Sequence, residues 1–417
     1  LSSSRLLRST SLPGAIVLGL GSIIGTGAFV SLGFGYALAG DMLLGAILLA
    51  AFVALCNGLS SAQLAAVHPV SGGTYEYGYQ FLNHDLGFVA GWFFICAKSA
   101  SAAAAALASA WLLNHYLNWP ESAVVGLAVA LLVAITALVL GGLKRSNQVN
   151  GVLVTLAILS LVLFVIWSWQ QPQAALSGLM NNKADAGSAS RDVLAAAALL
   201  FVAYTGYGRI ATMGEEVLNP RHTIPRAIVA TMFVVTVLYC AVGMAIVHLA
   251  PVTIGDDFIL TQLLPAGWVH NLIFIGAILA MLGVALNLVL GVSRVVLAMA
   301  RRRDLPLGWA KLNLGNTSAP AATLVTAAIM IVIALFGGIK LAWTFSAFTV
   351  LIYYSITNLA ALQVATEQRF IAKFWSVLGL VGCLSLALMV DVQVITVGVL
   401  LLVVGLIWHR YRFAKTY

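Results

Sequence analysis

Charge is what this sequence has least of. Only 8% of its 417 residues are Asp, Glu, Lys or Arg, and the acids number 13. A soluble domain is about a quarter charged, so a chain that is 62% hydrophobic falls outside that class and reads as a polytopic membrane protein. Cysteine is scarce as well. Cys56, Cys96, Cys240 and Cys383 lie in apolar runs without CxxC or paired loop spacing; they give no sign of a disulfide framework and read as small buried residues. The seven histidines are scattered, and neither HExxH nor GxSxG occurs. No enzyme, metal or cofactor pattern is therefore expected. Rings of like charge and repeated filter loops, which a channel would need, are missing too.

What is present is a succession of long apolar runs. A membrane span needs about 20 mostly apolar residues, and reading between polar breaks gives twelve: 13–39, 42–66, 85–113, 122–142, 147–169, 193–214, 226–249, 268–299, 321–337, 341–363, 374–391 and 393–409. The first is too long for the apolar core of a cleaved leader, which runs to about 7–15 residues. No stretch is left for a soluble domain. With the N-terminus in the cytoplasm, 17 of the 21 Lys and Arg fall on the cytoplasmic side and three (Lys183, Arg191, Lys340) on the other. That bias places both termini inside. The net charge of +8 is thus a topology signal and does not suggest nucleic acid. The Arg301–Arg303 run reads as part of it, or as a contact for anionic lipid.

Glycine is plentiful in two places where a helix can least accommodate it. GSIIGTGAF, 21–29, carries Gly21, Gly25 and Gly27 in the middle of the first span. FVAYTGYGRIATMGEE, 201–216, carries Gly206, Gly208 and Gly214 in the sixth. Glycine costs about 1 kcal/mol against alanine in a helix interior, and backbone freed in lipid finds no water. The interrupted spans are five helices apart, and an odd-numbered unit repeated in sequence inserts upside down the second time. Interrupted spans at matching places point to an inverted-repeat transporter with its site at the breaks. There, amides at the start of one half-helix suit a carboxylate, and carbonyls at the end of the other suit an ammonium. A zwitterionic amino acid carries both. Close helix packing is the structural alternative for these glycines.

Several segments resemble the amino acid–polyamine–organocation superfamily of secondary transporters. Gly21, Ile24, Gly25, Thr26, Gly27 and Phe29 match its first-span G-x-x-I-G-[ST]-G-x-F motif. PVSGGTYEYGYQFL (69–82), GFVAGW (87–92), EEVLNPRHTIPRAI (215–228) and SRVVLAMARRRDLP (293–306) are similar to further family segments. The resemblance covers most of the chain. It implies an all-α fold of 12 transmembrane helices with a five-plus-five inverted-repeat, LeuT-like core. The repeats would be 1–169 and 170–363, with two further helices in 364–417. It also implies site roles: Thr26 and Gly27 amides, beside Gly25, for a substrate carboxylate; carbonyls of Ile23, Val202 and Thr205 for the ammonium; Gly206 to permit the break. Many relatives carry a large aromatic where Val202 stands, so Tyr204, Tyr207 or Tyr353 are the gate candidates. Several relatives carry a span-five lysine in place of a sodium ion; here Ala157 stands in that region.

Lys98, in GWFFICAKSASAAAAALA (91–108), is the one Lys or Arg assigned to neither side of the membrane, and it lies inside the third span. An ionisable residue at that depth is a functional hypothesis by default. It is expected to supply the charge missing from span five, resting against carbonyls of span one or eight, either as a proton carrier or as a fixed cation. A purely structural lysine is the alternative. Asn287 in span eight is a further site candidate. Glu215 and Glu216 are expected to pair with Arg209, Arg221 or Arg226 at an inner gate, with Glu76 a lesser gate candidate. Pro220 and Pro225 are expected to shape the loop before span seven. Val202 and the lack of an acid beside the breaks suggest a neutral, small to medium substrate. Relatives with an acid at the position of Gly208 argue the same way against a cationic one. The expected function is secondary active transport of an amino acid, proton-coupled, in a bacterial inner membrane, with lipid and possible protons as partners. Obligatory exchange, or a sensor or accessory subunit on a transporter fold, are the alternatives.

Overall fold

The computed structural model describes residues 10–70, 72–141, 146–172, 186–211, 217–249, 259–313 and 319–414. The first apolar run forms α1 (Leu12–Ile23), a π-helical turn (Gly27–Ser31) and α2 (Leu32–Ala39). There follow α3 (Leu43–Val67), a short helix α4 (Thr74–Phe81), α5 (His84–Leu117), α6 (Ala123–Leu140) and α7 (Ser146–Ser168). The second half has α8 (Ala186–Tyr204), a 3-10 turn (Thr205–Tyr207), α9 (Gly208–Ala211), α10 (Pro220–Leu249) and α11 (Trp268–Arg301). The chain ends with α12 (Pro320–Phe336), α13 (Ile339–Leu362), α14 (Lys373–Ala387) and α15 (Val392–Ala414). Among the described residues, nine helical stretches are long and apolar enough to cross a membrane. Leu12–Ile23, Pro320–Phe336 and Lys373–Ala387 are shorter apolar helices.

Local chemistry sets several boundaries. Asn83 caps α5 by accepting the Leu86 amide at 2.8 Å, and Asn118 ends it in the left-handed region at φ 52°, a conformation that asparagine tolerates. α10 starts six residues before the predicted run. Pro220 and Pro225 do not shape a loop there: Pro220 opens the helix and Pro225 lies inside it. A proline at the first helical position gives up an amide that has no intrahelical partner anyway.

α5 lies at the centre, buried along most of its length. It packs on α13, α11, α6, α12 and α15. α11 also packs on α7, α12 and α6; α10 packs on α3, α1 and α7; α3 packs on α8 and α13; and α8 packs on α13. The periphery is apolar and exposed, with Phe233 at 70% and Phe336 at 83%. Large apolar surface turned outward around a core holding Lys98, Asn57, Asn287 and Asn358 is the arrangement that a lipid surround allows and water does not.

Candidate functional site

The first break is a true interruption. α1 stops at Ile23, and Ile24 is extended (φ −79°, ψ 106°). Helical bonding resumes on the Gly25 carbonyl, which accepts from the amides of Ala28 (3.0 Å) and Phe29 (3.1 Å). The glycines are there because neighbours press on the backbone. A Cβ on Gly25 would meet Val284 Cγ2 at 2.5 Å and the Ala280 carbonyl at 3.0 Å; one on Gly27 would meet Ala203 Cβ and Tyr239 Oη at 2.7 Å. The carbonyls released by the break are held from other helices. Tyr239 on α10 places its hydroxyl 3.2 Å from both the Ile23 and Ala203 carbonyls. Asn287 on α11 donates to the Gly21 carbonyl (3.2 Å) and to Asn150 Oδ1 (2.8 Å). Thr26 Oγ1 is buried without a hydrogen-bond partner.

The second break is milder than the glycines predict. Among the described residues the chain tightens into the 3-10 turn Thr205–Tyr207 and re-enters a helix at Gly208. Gly214, Glu215 and Glu216 lie outside the described residues, so the expected acidic pairing does too. Gly206 has a backbone reason: a Cβ there would collide with the Ser22 carbonyl and stand 2.5 Å from Ile23 Cγ1. The two interrupted segments therefore touch at their breaks.

Lys98 does not rest against α1 or α11 as expected from the sequence. Its Nζ donates to Thr205 Oγ1 at 2.8 Å and to the Thr205 carbonyl at 3.3 Å. Thr205 Oγ1 in turn donates to the Val202 carbonyl at 2.8 Å. The Thr205 carbonyl also takes the Gly208 amide and the Tyr354 hydroxyl at 3.3 Å. Lys98 reaches this turn because the carbonyl end of α8 is the negative end of its helix dipole.

A cavity of about 30 Å³ adjoins this contact, room for one or two waters; its wall includes Ser22, Phe94, Lys98, Thr205, Gly206, Arg209 and Asn287. Of the predicted site residues, Lys98, Thr205, Gly206 and Asn287 meet there. Ile23, Gly25, Thr26, Gly27 and Val202 are buried but do not line it. Tyr204, Tyr207 and Tyr353 are fully buried and do not line it. Tyr353 packs on Tyr354 (ring centroids 4.4 Å) and Tyr207 on Tyr354 (5.4 Å). The aromatic at the cavity is Phe94, one turn before Lys98 on α5 and 5.5 Å from the Tyr353 ring. Sequence reading missed Phe94, Tyr239, Tyr354 and Asn150. Only the i, i+4 spacing of Phe94 from Lys98 could have pointed to the first of them.

A second polar cluster lies beyond the helix ends. Asp304, buried after α11, accepts from Tyr75 (2.7 Å) and Tyr79 (2.6 Å) on α4 through Oδ2. Its Oδ1 lies 3.2 Å from His409 Nδ1 on α15. Burial, reinforced by this carboxylate, pushes both tyrosine hydroxyls well above their ordinary pKa. Glu76, the lesser gate candidate, is paired with Arg302, whose guanidinium also stands 4.7 Å over the Tyr79 ring. Arg302 is 44% exposed, so the pair is partly screened. Arg302→Ala is expected to lower unfolding free energy by no more than about 1 kcal/mol, read by thermal unfolding in detergent; a larger loss would mean that its ring contacts dominate.

A sequence model of the "Amino acid permease" family matches residues 14–416. An uncharacterized transporter of Mycobacterium tuberculosis is 36% identical over 98% of this chain and 92% of its own length. The branched-chain amino acid permease BcaP of Bacillus subtilis is 30% identical, covering 71% of this chain and 68% of its own. The methylthioribose transporter of the same organism is 30% identical over 75% and 71%.

Proposed function

Because the chain belongs to the amino acid permease family, we propose that it carries a neutral, small to medium amino acid across the membrane by alternating access, coupled to protons through Lys98. It is an integral membrane transporter; the substrate, the coupling and the repeat are the proposal. The observation that carries it is the meeting of two interrupted segments at Ser22–Ile23 and Gly206, with Lys98 on the adjoining carbonyl. In this reading the amides following Ile24, with Thr26 Oγ1, take the substrate carboxylate, and the carbonyl side takes its ammonium. The lining holds two cations, Lys98 and Arg209, and no carboxylate among the described residues, which disfavours a substrate with a cationic side chain.

The packing supports an inverted repeat over 1–169 and 170–363. Pair α1, α3, α5, α6 and α7 with α8, α10, α11, α12 and α13. Then α5 on α13 corresponds to α11 on α7, α3 on α8 to α10 on α1, α5 on α12 to α11 on α6, and α10 on α7 to α3 on α13. Counting α1, α12 and α14 with the longer helices supports the twelve crossings of this reading, in which the charge bias argues for both termini on the cytoplasmic side of a bacterial inner membrane.

The test is uptake into proteoliposomes of the twenty amino acids and methylthioribose. It is run with inward and outward proton gradients and with substrate loaded inside. A neutral amino acid moved by a proton gradient is the expected result. Movement only against loaded substrate would make the protein an obligatory exchanger, and methylthioribose alone would overturn the substrate class.

A further inference from the structure

We infer that the ammonium of Lys98 and the ammonium of the substrate are alternative occupants of one acceptor, the Thr205 carbonyl, so that Lys98 stands in for the substrate on the unloaded carrier. This rests on the amino acid reading of the site and adds to it which group the substrate must displace.

The first observation is crowding. A carbonyl oxygen has two lone pairs, and that of Thr205 already faces three donors: the Gly208 amide, Lys98 Nζ and Tyr354 Oη. A further ammonium cannot join them. The second is polarity. This carbonyl lies at the C-terminal end of α8, where the helix dipole is negative, and the group that the structure holds there is the Lys98 amino group. The third is space. The adjoining cavity of about 30 Å³ is far smaller than the few hundred Å³ of an occupied ligand site, so an amino acid enters only if something on its wall withdraws. Lys98 is a wall residue able to do so: its four-carbon stem is flexible, whereas Gly206 and Ser22 are backbone pressed on backbone. Thr205 Oγ1 keeps a partner after Lys98 leaves, because it donates to the Val202 carbonyl.

A functional consequence follows. With a cation at the Thr205 carbonyl in both the loaded and the unloaded states, the negative end of α8 is never left without a positive partner inside the membrane. The unloaded carrier can then reorient, and net uptake does not need a counter-substrate.

The experiment measures binding of the amino acid identified by the uptake screen and of its deaminated carboxylate analogue, to wild type, Lys98→Met and Tyr354→Phe. Removing Lys98 frees the acceptor for the amino acid but withdraws a positive charge from the analogue. The ratio of analogue Kd to amino acid Kd is expected to rise about tenfold or more in Lys98→Met. Tyr354→Phe, which lifts one competing donor and leaves Lys98, should raise it about two- to threefold and serves if Lys98→Met does not fold. Proteoliposomes of Lys98→Met should keep exchange and lose net uptake. An unchanged or lower ratio in both variants overturns the inference while leaving the transport reading intact. No amino acid binding to any of the three proteins overturns both.

Discussion

Gly206→Ala is expected to reduce transport by at least a hundredfold. The added methyl is directed at the Ser22 carbonyl and at Ile23 Cγ1. Neither can give way cheaply. Ser22 is backbone at the end of α1, and Ile23 is buried with its carbonyl bonded to Tyr239. Overpacking of this kind costs typically 1–3 kcal/mol, and where the displaced atoms are the binding atoms themselves, about 2.8 kcal/mol is a hundredfold. The effect is predicted on function more than on folding, because the rest of the helix packing is untouched. Gly126→Ala is the matched control: a Cβ there meets nothing within 4 Å, and the change should be neutral or slightly stabilising through helix propensity. Proteoliposome uptake and binding by the two variants, compared at equal amounts of monodisperse protein, checks this. Near-normal uptake by Gly206→Ala would show that the breaks separate during the cycle with room to spare, and would remove the contact from the mechanism.

Asp304→Ala is expected to be the most destabilising of the polar substitutions, by about 3 kcal/mol or more. The carboxylate joins three elements: Tyr75 and Tyr79 on α4, His409 on α15 and its own position after α11. Its backbone carbonyl also accepts from Trp408 Nε1 at 3.0 Å, which an alanine retains. Truncation strands the buried Tyr75 hydroxyl, at about 1–3 kcal/mol, and takes a partner from the partly buried Tyr79 hydroxyl and from the buried His409 ring. Asp304→Asn keeps the shape and part of the bonding, and should lose roughly half as much. Thermal unfolding of the three proteins in one detergent reads the order. Equal midpoints would mean that water replaces the carboxylate. The cluster also carries a pH signature. Tyr75 and Tyr79 have folded pKa values raised above the unfolded value, so the folded state binds more protons at alkaline pH. Their contribution is fully present below the ordinary tyrosine value of about 10 and is lost as pH rises above it. Denaturation at pH 8 and pH 11 should show a larger alkaline loss for wild type than for Tyr75→Phe.

Some of this was dictated by the chain itself. Low charge and repeated apolar runs suffice for a membrane protein, since a span must be apolar over a fixed length. The helices fall close to the runs read from sequence, and the glycines of 21–27 mark a break that is real. They are local properties, set by propensity and by the absence of water. Lys98 was legible as anomalous for the same reason: a cation between Phe94 and a row of alanines has no local excuse.

What Lys98 binds was not legible. Its partner, Thr205, is 107 residues away, and the choice between α1, α8 and α11 depends on how three helices cross α5. The same holds for Tyr239, whose hydroxyl spans the two breaks from a helix that carries no unusual pattern. It holds too for Phe94, which lines the cavity where Tyr204, Tyr207 and Tyr353 do not. Pro225 shows the reverse error, a strong local signal for a loop overruled by the packing of α10 against α3. Composition and periodicity determine that a helix forms and which residues it cannot bury in lipid. Only the crossing of helices decides which carbonyl a buried donor meets, because a hydrogen bond is set by tenths of an ångström that no pattern along one chain records.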